Sequence, residues 1–145
     1  MMIRKAVRED AAIAAGLAVK MWESHTIQEL EQEFADYINI NSGAIFLAVS
    51  DGQAVGFAQC GLRHDYVEGT SNSPVGYLEG IFVIEQYRKR GVAKELLETC
   101  EEWAREQGCE EFASDCELIN DGSFKFHLKM GFKEENRIIC FTKKL

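Results

Sequence analysis

Glu79 is an acidic residue inside the run Tyr77-Leu78-Glu79-Gly80-Ile81-Phe82-Val83-Ile84, whose other members are apolar, aromatic or glycine. An unpaired charge in such a run is costly, so this carboxylate is expected to have a partner or to face a cleft. The stretch Arg88-Lys89-Arg90-Gly91-Val92-Ala93 follows closely, and Arg88, Lys89, Arg90 and Lys94 are four of the chain's 16 basic residues. A strand–turn–helix junction with glycine at the turn aims free backbone N–H groups outward. Those groups and the helix dipole suit an anion, each charge–dipole contact contributing about 0.3–2 kcal/mol. Gly91 leaves room for the backbone to approach a pyrophosphate. The stretch is neither Gly-Lys-Ser/Thr nor G-x-G-x-x-G, which makes ATP and NAD poor candidates. A second carboxylate, Asp115, closes a short apolar run. Strand ends at one edge of an α/β sheet are where ligands sit.

The cysteines and histidines suggest no metal. Cys60, Cys100, Cys109, Cys116 and Cys140 contain no C-x-x-C pair, and His25, His64 and His127 no H-x-x-x-H pair. Neither a zinc site nor a disulfide framework is suggested. The cysteines are expected to be small buried apolar residues in a reducing compartment.

The elements that must hold these residues are legible from periodicity. Ile3 to Val7 reads as a strand. Ala11 to Glu23 reads as a helix with Ile13, Leu17 and Met21 near one face. Thr26-Ile27-Gln28-Glu29 is a capping box, and Ile27, Leu30, Phe34, Tyr37 and Ile38 form the stripe of the helix that follows. Ala44 to Val49 and Ala54 to Leu62 read as strands joined by Asp51-Gly52, a strong hairpin signal. Residues 64–76 are turn-rich. Tyr77 to Ile84 is expected to be a strand buried on both faces. Gly91 to Gln107 is a helix stopped by Gly108, with Val92, Leu96, Cys100 and Trp103 on its apolar face. Glu111 to Asp115 is a short strand, Ser123 to Met130 a helix ended by Gly131, and Glu134 to Lys143 a last strand. The order is β-α-α-β-β-β-α-β-α-β, a mixed α/β arrangement expected to form one domain over residues 1–145.

Composition narrows the class. With 46% hydrophobic and 28% charged residues, disorder, collagen and coiled-coil arrays are excluded as readings of the whole chain. No apolar run approaches the roughly 18–20 residues a bilayer crossing needs. Met1-Met2-Ile3-Arg4-Lys5 lacks the apolar core of a signal peptide, so a cytoplasmic protein is expected. The net charge of −8 repels nucleic acid and anionic membranes and favours cationic partners.

R-x-x-G-x-A after a buried strand resembles the acetyl-CoA pyrophosphate loop of the GNAT N-acetyltransferase superfamily. The element order fits that superfamily, and Asn120-x-x-Ser123-x-x-x-His127-x-x-x-Gly131-Phe132 resembles its downstream motif. A more specific likeness is to the aminoglycoside 6′-N-acetyltransferases. It rests on His64-Asp65-Tyr66-Val67-Glu68-Gly69, Ser73-Pro74-Val75, Leu78-Glu79-Gly80-Ile81-Phe82-Val83, Arg90-Gly91-Val92-Ala93-Lys94 and Ala113-Ser114-Asp115, with Trp22 near the first helix end.

The resemblance implies a mixed, mostly antiparallel central sheet flanked by helices, an acetyl-CoA co-substrate and no metal. It places CoA on the backbone of Ile81, Phe82 and Val83, on Arg88, Lys89, Arg90, Gly91, Val92, Ala93 and Lys94, and on Asn120. It places the acceptor at Glu79, Asp115, Trp22, His25 and Tyr66. The related pattern has an acidic residue where Asn136 stands, and Glu135 is next to it. His127 stands where many such enzymes carry a Tyr that protonates the CoA thiolate, so proton donation and simple hydrogen bonding to CoA are both open.

Energetics limit what Glu79 does. A lysine-like ammonium near pKa 10.4 costs roughly 4–5 kcal/mol to neutralise at pH 7, and a Glu near pKa 4.3 is too weak a base to take that proton outright. Glu79 is therefore expected to anchor the ammonium and relay its proton through water. The implied reaction is direct acetyl transfer to the 6′-amine of an aminoglycoside in a ternary complex. A polyamine or peptide amine is the alternative acceptor, and a non-catalytic acyl-CoA-binding module the alternative function. The resemblance also implies a homodimer, with the C-terminal strand able to pair across subunits.

Overall fold

Residues 43–63 form a long hairpin, β2 (Gly43–Ser50) and β3 (Gln53–Arg63), in the computed structural model, which describes residues 1–145. Asp51 and Gly52 turn it with φ of 50° and 77°. Positive φ at both central residues matches the right-handed twist of the flanking strands. β1 (Met2–Lys5) lies antiparallel to β2, and β4 (Val75–Val83) antiparallel to β3. β5 (Phe112–Ser114) joins parallel to β4, closing a five-stranded sheet ordered β1-β2-β3-β4-β5. The mixed, mostly antiparallel sheet implied by the sequence is present.

The period of two along β2 sorts side chains to opposite faces. Ala44, Phe46 and Ala48 join Leu96, Leu97, Cys100 and Trp103 of helix α3 (Val92–Glu106) in one core. Ile45 and Leu47 join a second core with Leu17 of α1 (Ala11–Ala18) and Leu30 and Phe34 of α2 (Ile27–Ile38). Thr26 caps α2, its hydroxyl accepting from the Glu29 amide at 3.1 Å. α4 (Asp121–Lys129) packs through Phe126 against the α3 side. No helix is long and apolar enough to cross a membrane.

Several expectations are corrected. α1 stops at Ala18, and tight turns carry the chain on to Trp22. Its buried face is Ala11, Ala14, Ala15, Leu17 and Ala18, while Ile13 is exposed. Alanines let this helix lie close to the sheet, so the packing face is not the stripe of larger residues. β4 is buried from Val75 to Leu78 but half-exposed from Glu79 to Phe82. Three cysteines are buried, whereas Cys116 and Cys140 are exposed. Residues 134–143 form no strand: the segment joins no ladder of the sheet, and Ile139 and Phe141 are 81% and 87% exposed. β-Propensity marks a segment that fits a sheet without supplying the neighbouring strand.

β1 and α1 are joined by an ion pair. Arg4 donates to both Asp10 oxygens at 2.7 and 2.9 Å, and the Val7 amide donates to the same carboxylate at 2.8 Å. The Arg4 hydrogen bonds hold the Asp10 pKa below its ordinary value. That stabilisation is present above the unfolded Asp value of about 3.9 and is lost as pH falls through the lower folded value. Asp10→Asn is expected to lower stability at pH 7 in urea titrations. The gap from wild type should narrow as pH falls below about 4, and a gap independent of pH would contradict the assignment.

Candidate functional site

The site begins with one extra residue in β4. β3 and β4 pair Gln59 with Gly80 and Cys60 with Leu78, which leaves Glu79 without an opposite residue. A bulge of this kind bends the strand and re-aims a side chain. β5 pairs only with Gly76, Tyr77 and Leu78. Past Leu78 the two strands part, and residues 79–83 of β4 keep β3 on one side with no strand on the other. Ile81, Phe82 and Val83 thus lie on a sheet edge with no outer strand, where outward backbone groups other than the Val83 carbonyl, held by Arg88, can pair with an extended ligand.

On the α1–α2 side of the bulge lies a cavity of about 380 Å³, lined by Trp22, His25, Leu30, Glu33, Tyr37, Gln59 and Glu79. Trp22 lies against Gly80, where an added Cβ would come within 2.6 Å of the ring. Phe34 and Phe57 back the indole at centroid distances of 6.3 and 6.1 Å. Trp22 is therefore both a core residue and a wall. Tyr37 covers Gly43 and Gly61 and donates its hydroxyl to the Cys60 carbonyl at 2.7 Å. Burial, and then the charge of Glu79, raise the Tyr37 pKa, so the hydroxyl keeps its proton. His25 is exposed and lies 3.4 Å from Glu29.

The expected partner of Glu79 exists. Arg63, the last residue of β3, donates from Nη2 to both Glu79 oxygens at 2.9 and 3.2 Å and from Nε at 3.4 Å. The same guanidinium lies 3.4 Å above the Tyr77 ring centroid. Tyr77 in turn donates its hydroxyl to the Asp115 carboxylate. Burial, and then that hydrogen bond, raise the Tyr77 pKa. The chain of contacts Glu79–Arg63–Tyr77–Asp115 joins two of the acidic residues picked out in the sequence.

The remaining acceptor candidates form a separate group. Glu68 accepts from the Tyr66 hydroxyl and from Asn136 Nδ2, both at 2.9 Å, and the Glu135 side chain lies over Gly69. Tyr66 is 80% exposed and does not line the cavity. Asp115, Glu135 and Asn136 do not line it either.

The basic stretch wraps the mouth of α3. Gly91 caps the helix with φ of 81°, and nothing lies within 4 Å of the position its Cβ would occupy. Lys89 also has positive φ, 61°, a strained conformation for a side-chain-bearing residue. Arg88 Nε is bound to the Val83 carbonyl at 2.8 Å, so Arg88 braces the turn to β4. Arg90 stacks over Tyr87 at 5.0 Å, and Lys94 pairs loosely with Glu98 at 3.9 Å. Val92 is buried and Ala93 half-buried beneath the open mouth.

At the fork between β4 and β5, His127 has both ring nitrogens engaged. Nδ1 lies 2.7 Å from the Ser123 carbonyl, which can only accept, so Nδ1 carries hydrogen in the neutral ring. Nε2 then accepts from Ser114 Oγ at 2.8 Å. Asn120 caps α4, its Oδ1 accepting from the Ser123 amide at 3.1 Å, which leaves its amide NH2 for other work.

Glu33, Tyr37, Gln59, Arg63, Tyr77 and Ser114 were not among the site residues expected from the sequence. Gln59 and Arg63 carried a signal: with Phe57 they share one parity along β3, and past Ala54 they are the polar residues of an otherwise apolar run.

Residues 14–132 match the Acetyltransferase (GNAT) family. An "Aminoglycoside N(6')-acetyltransferase type 1" of Stenotrophomonas maltophilia is 42% identical over 142 residues, covering 96% of this chain and 90% of its own. The protein of the same description from Salmonella typhimurium is 40% identical over 129 residues, covering 89% of each chain. Among solved structures, AAC(6')-Iy in complex with the bisubstrate analog CoA-S-monomethyl-acetylneamine superposes with a TM-score of 0.94. It is 38% identical, over 99% of this chain and 98% of that one.

Gly80→Ala tests the aromatic wall. The added methyl is expected to push Trp22 off Gly80, reducing the near-ultraviolet circular dichroism of the indole and costing about 1–3 kcal/mol in denaturant titration. An unchanged spectrum with unchanged stability would contradict the packing.

Proposed function

This chain belongs to the GNAT acetyltransferase family, and from that premise we propose that it transfers the acetyl group of acetyl-CoA to the 6′-amine of an aminoglycoside. The observation that carries the reading is the β4 bulge. It puts the acid-bearing, aromatic-walled cavity and the unpaired edge of residues 79–83 side by side on one strand. Relatives named for this reaction at about 40% identity over nearly the whole chain, and the CoA-linked aminoglycoside analog held by a close structural neighbour, support the same assignment.

The chain's residues fit the co-substrate. The unobstructed αL glycine at the α3 mouth, the amides beneath it and the cluster Arg88, Lys89, Arg90 and Lys94 suit a pyrophosphate. The edge at Ile81, Phe82 and Val83 offers outward backbone groups, apart from the Val83 carbonyl that Arg88 holds, to an extended amide-bearing arm, and one such N–H is suited to the thioester carbonyl oxygen. Asn120 has its NH2 free for the same ligand. Acetyl-CoA supplies an acyl group already activated as a thioester.

On the other side of β4, Glu79, with Glu33 near it, anchors the acceptor's ammonium, and Trp22 and His25 wall the sugar. Asp115, Tyr66, Glu135 and Asn136 lie farther along the acceptor's reach and meet its distal amines. Glu79 relays the ammonium proton to water and does not remove it outright. His127 acts through Ser114: once protonated at Nε2 it donates to the Ser114 hydroxyl, whose own proton can pass to the departing thiolate. Binding two substrates in one geometry supplies much of the acceleration, and transfer is direct, with no acyl-enzyme. Residues 1–145 act as one domain in the cytoplasm, where acetyl-CoA is made and used.

We further propose a homodimer in which the unpaired segment 134–143 adds to a strand edge of a second copy. Its exposed Ile138, Ile139 and Phe141 and the unpaired outer edge of β5 support that arrangement. Sedimentation equilibrium is expected to give twice the 16.4 kDa chain mass, and a Phe141→Asp chain is expected to shift toward monomer. A monomeric wild type removes the proposal.

The enzyme assignment is tested by following thiol release from acetyl-CoA with kanamycin. Wild type is expected to turn over. Glu79→Ala is expected to raise KM at least as clearly as it lowers kcat, a combined loss of about 100-fold or more in kcat/KM. Turnover of spermidine but not kanamycin would move the acceptor to polyamines. Heat of binding for coenzyme A with no transfer to any amine would leave an acyl-CoA-binding module.

A further inference from the structure

Arg63 is a cation lodged where a cationic acceptor is expected to bind. It makes three nitrogen–oxygen contacts to Glu79 between 2.9 and 3.4 Å, lies flat on Tyr77 at 3.4 Å, and through Tyr77 faces Asp115. Arg63 ends β3, at the threshold of the turn-rich stretch 64–74. Its side chain is 43% exposed, against 30% for Glu79, so an exit into solvent lies open.

We infer that Arg63 is a built-in stand-in for the acceptor's ammonium, which holds Glu79 until an acceptor displaces it and so selects polycations over singly charged amines. This rests on the acceptor reading of Glu79 given above. A singly charged amine that takes Glu79 only exchanges one cation for another and leaves the guanidinium without its partner. An acceptor with several ammonium groups gains contacts with Glu33, Asp115 and the acidic loop around Glu68 while it evicts Arg63. The exchange is accessible because partly exposed ion pairs and cation–π contacts are individually weak. Burial disfavours the charged guanidinium, but the hydrogen bonds and charge of Glu79 outweigh it and raise the Arg63 pKa, so the blocking group keeps its charge at any working pH.

The competing role is structural: Arg63 orients Glu79 to receive substrate. The two make opposite predictions. Wild type, Arg63→Lys and Arg63→Gln are compared with kanamycin and with 6-amino-6-deoxyglucose, which carries one amine. Each is measured by thiol release and, without acetyl-CoA, by calorimetric binding. Displacement predicts that Arg63→Gln lowers KM and Kd for the single amine about tenfold. The change for kanamycin is expected to be smaller, and both effects to lie in KM rather than kcat. Arg63→Lys keeps the charge but loses the fork and the stacking, so it is expected to fall between. A rise in KM and Kd for both amines on Arg63→Gln, with recovery in Arg63→Lys, overturns the inference in favour of orientation. An unchanged preference between the two amines also overturns it. If wild type transfers acetyl to neither amine, the enzyme reading fails, and the binding heats alone decide the role of Arg63. Absence of heat from both amines in all three proteins overturns it as well.

Discussion

A strand has a side-chain period of two, so one inserted residue changes which way everything beyond it points. In this protein the inserted residue is Glu79. Before the bulge, β4 is an ordinary interior strand, buried from Val75 to Leu78, with β3 on one side and β5 on the other. After it, β4 remains hydrogen-bonded to β3, but β5 has ended at Ser114. A carboxylate that would be prohibitively placed in a regular central strand gains a cavity and a guanidinium partner. The backbone that a continued β4–β5 ladder would have consumed is left without a strand partner. The acid-bearing cavity and the unpaired edge thus meet at the same local irregularity.

Charge is partitioned about that strand. The acidic excess of the chain reaches the cavity as Glu33 and Glu79 and the neighbouring loop as Glu68, while the basic cluster is gathered at the α3 mouth. An anionic and a polycationic substrate can then approach without competing for the same surface, each drawn by local field. Within the acidic half, Arg63 is the exception, and its contacts with Glu79 and Tyr77 keep two carboxylate neighbourhoods from facing one another unscreened. No fully buried side-chain polar atom of the protein lacks a partner.

The sequence revealed elements wherever one residue type had a local reason to be there. Asp51-Gly52 at positive φ, Thr26 on the Glu29 amide and Gly91 before α3 all follow from backbone sterics and hydrogen bonding over a few residues. Glu79 stood out because its run was otherwise apolar. What could not be read was relational. Nothing local says that Arg63 reaches Glu79 across 16 residues or that Tyr77 meets Asp115 across 38. The same holds for α1, where small size rather than bulk chose the buried face. Tyr66 and Trp22, both placed at the acceptor by the resemblance, belong to different groups because loop 64–74 carries Tyr66 out to Glu68.

The two ends of the chain are stabilised differently. The N-terminal part closes on itself: β1 is laddered to β2, Asp10 fastens it to α1, and Leu30 and Phe34 are sealed beneath α2. Beyond β5 no residue of α4 is fully buried, and the apolar side chains of residues 138–141 have no neighbours to cover them. Segments with few buried contacts open at low free energy. Yet Ser114, His127, Glu135 and Asn136 lie in or beside this part. Their geometry therefore rests on the least buried portion of the fold, anchored by the Asn136–Glu68 hydrogen bond and the packing of Phe126 and Phe132 against the α3 side.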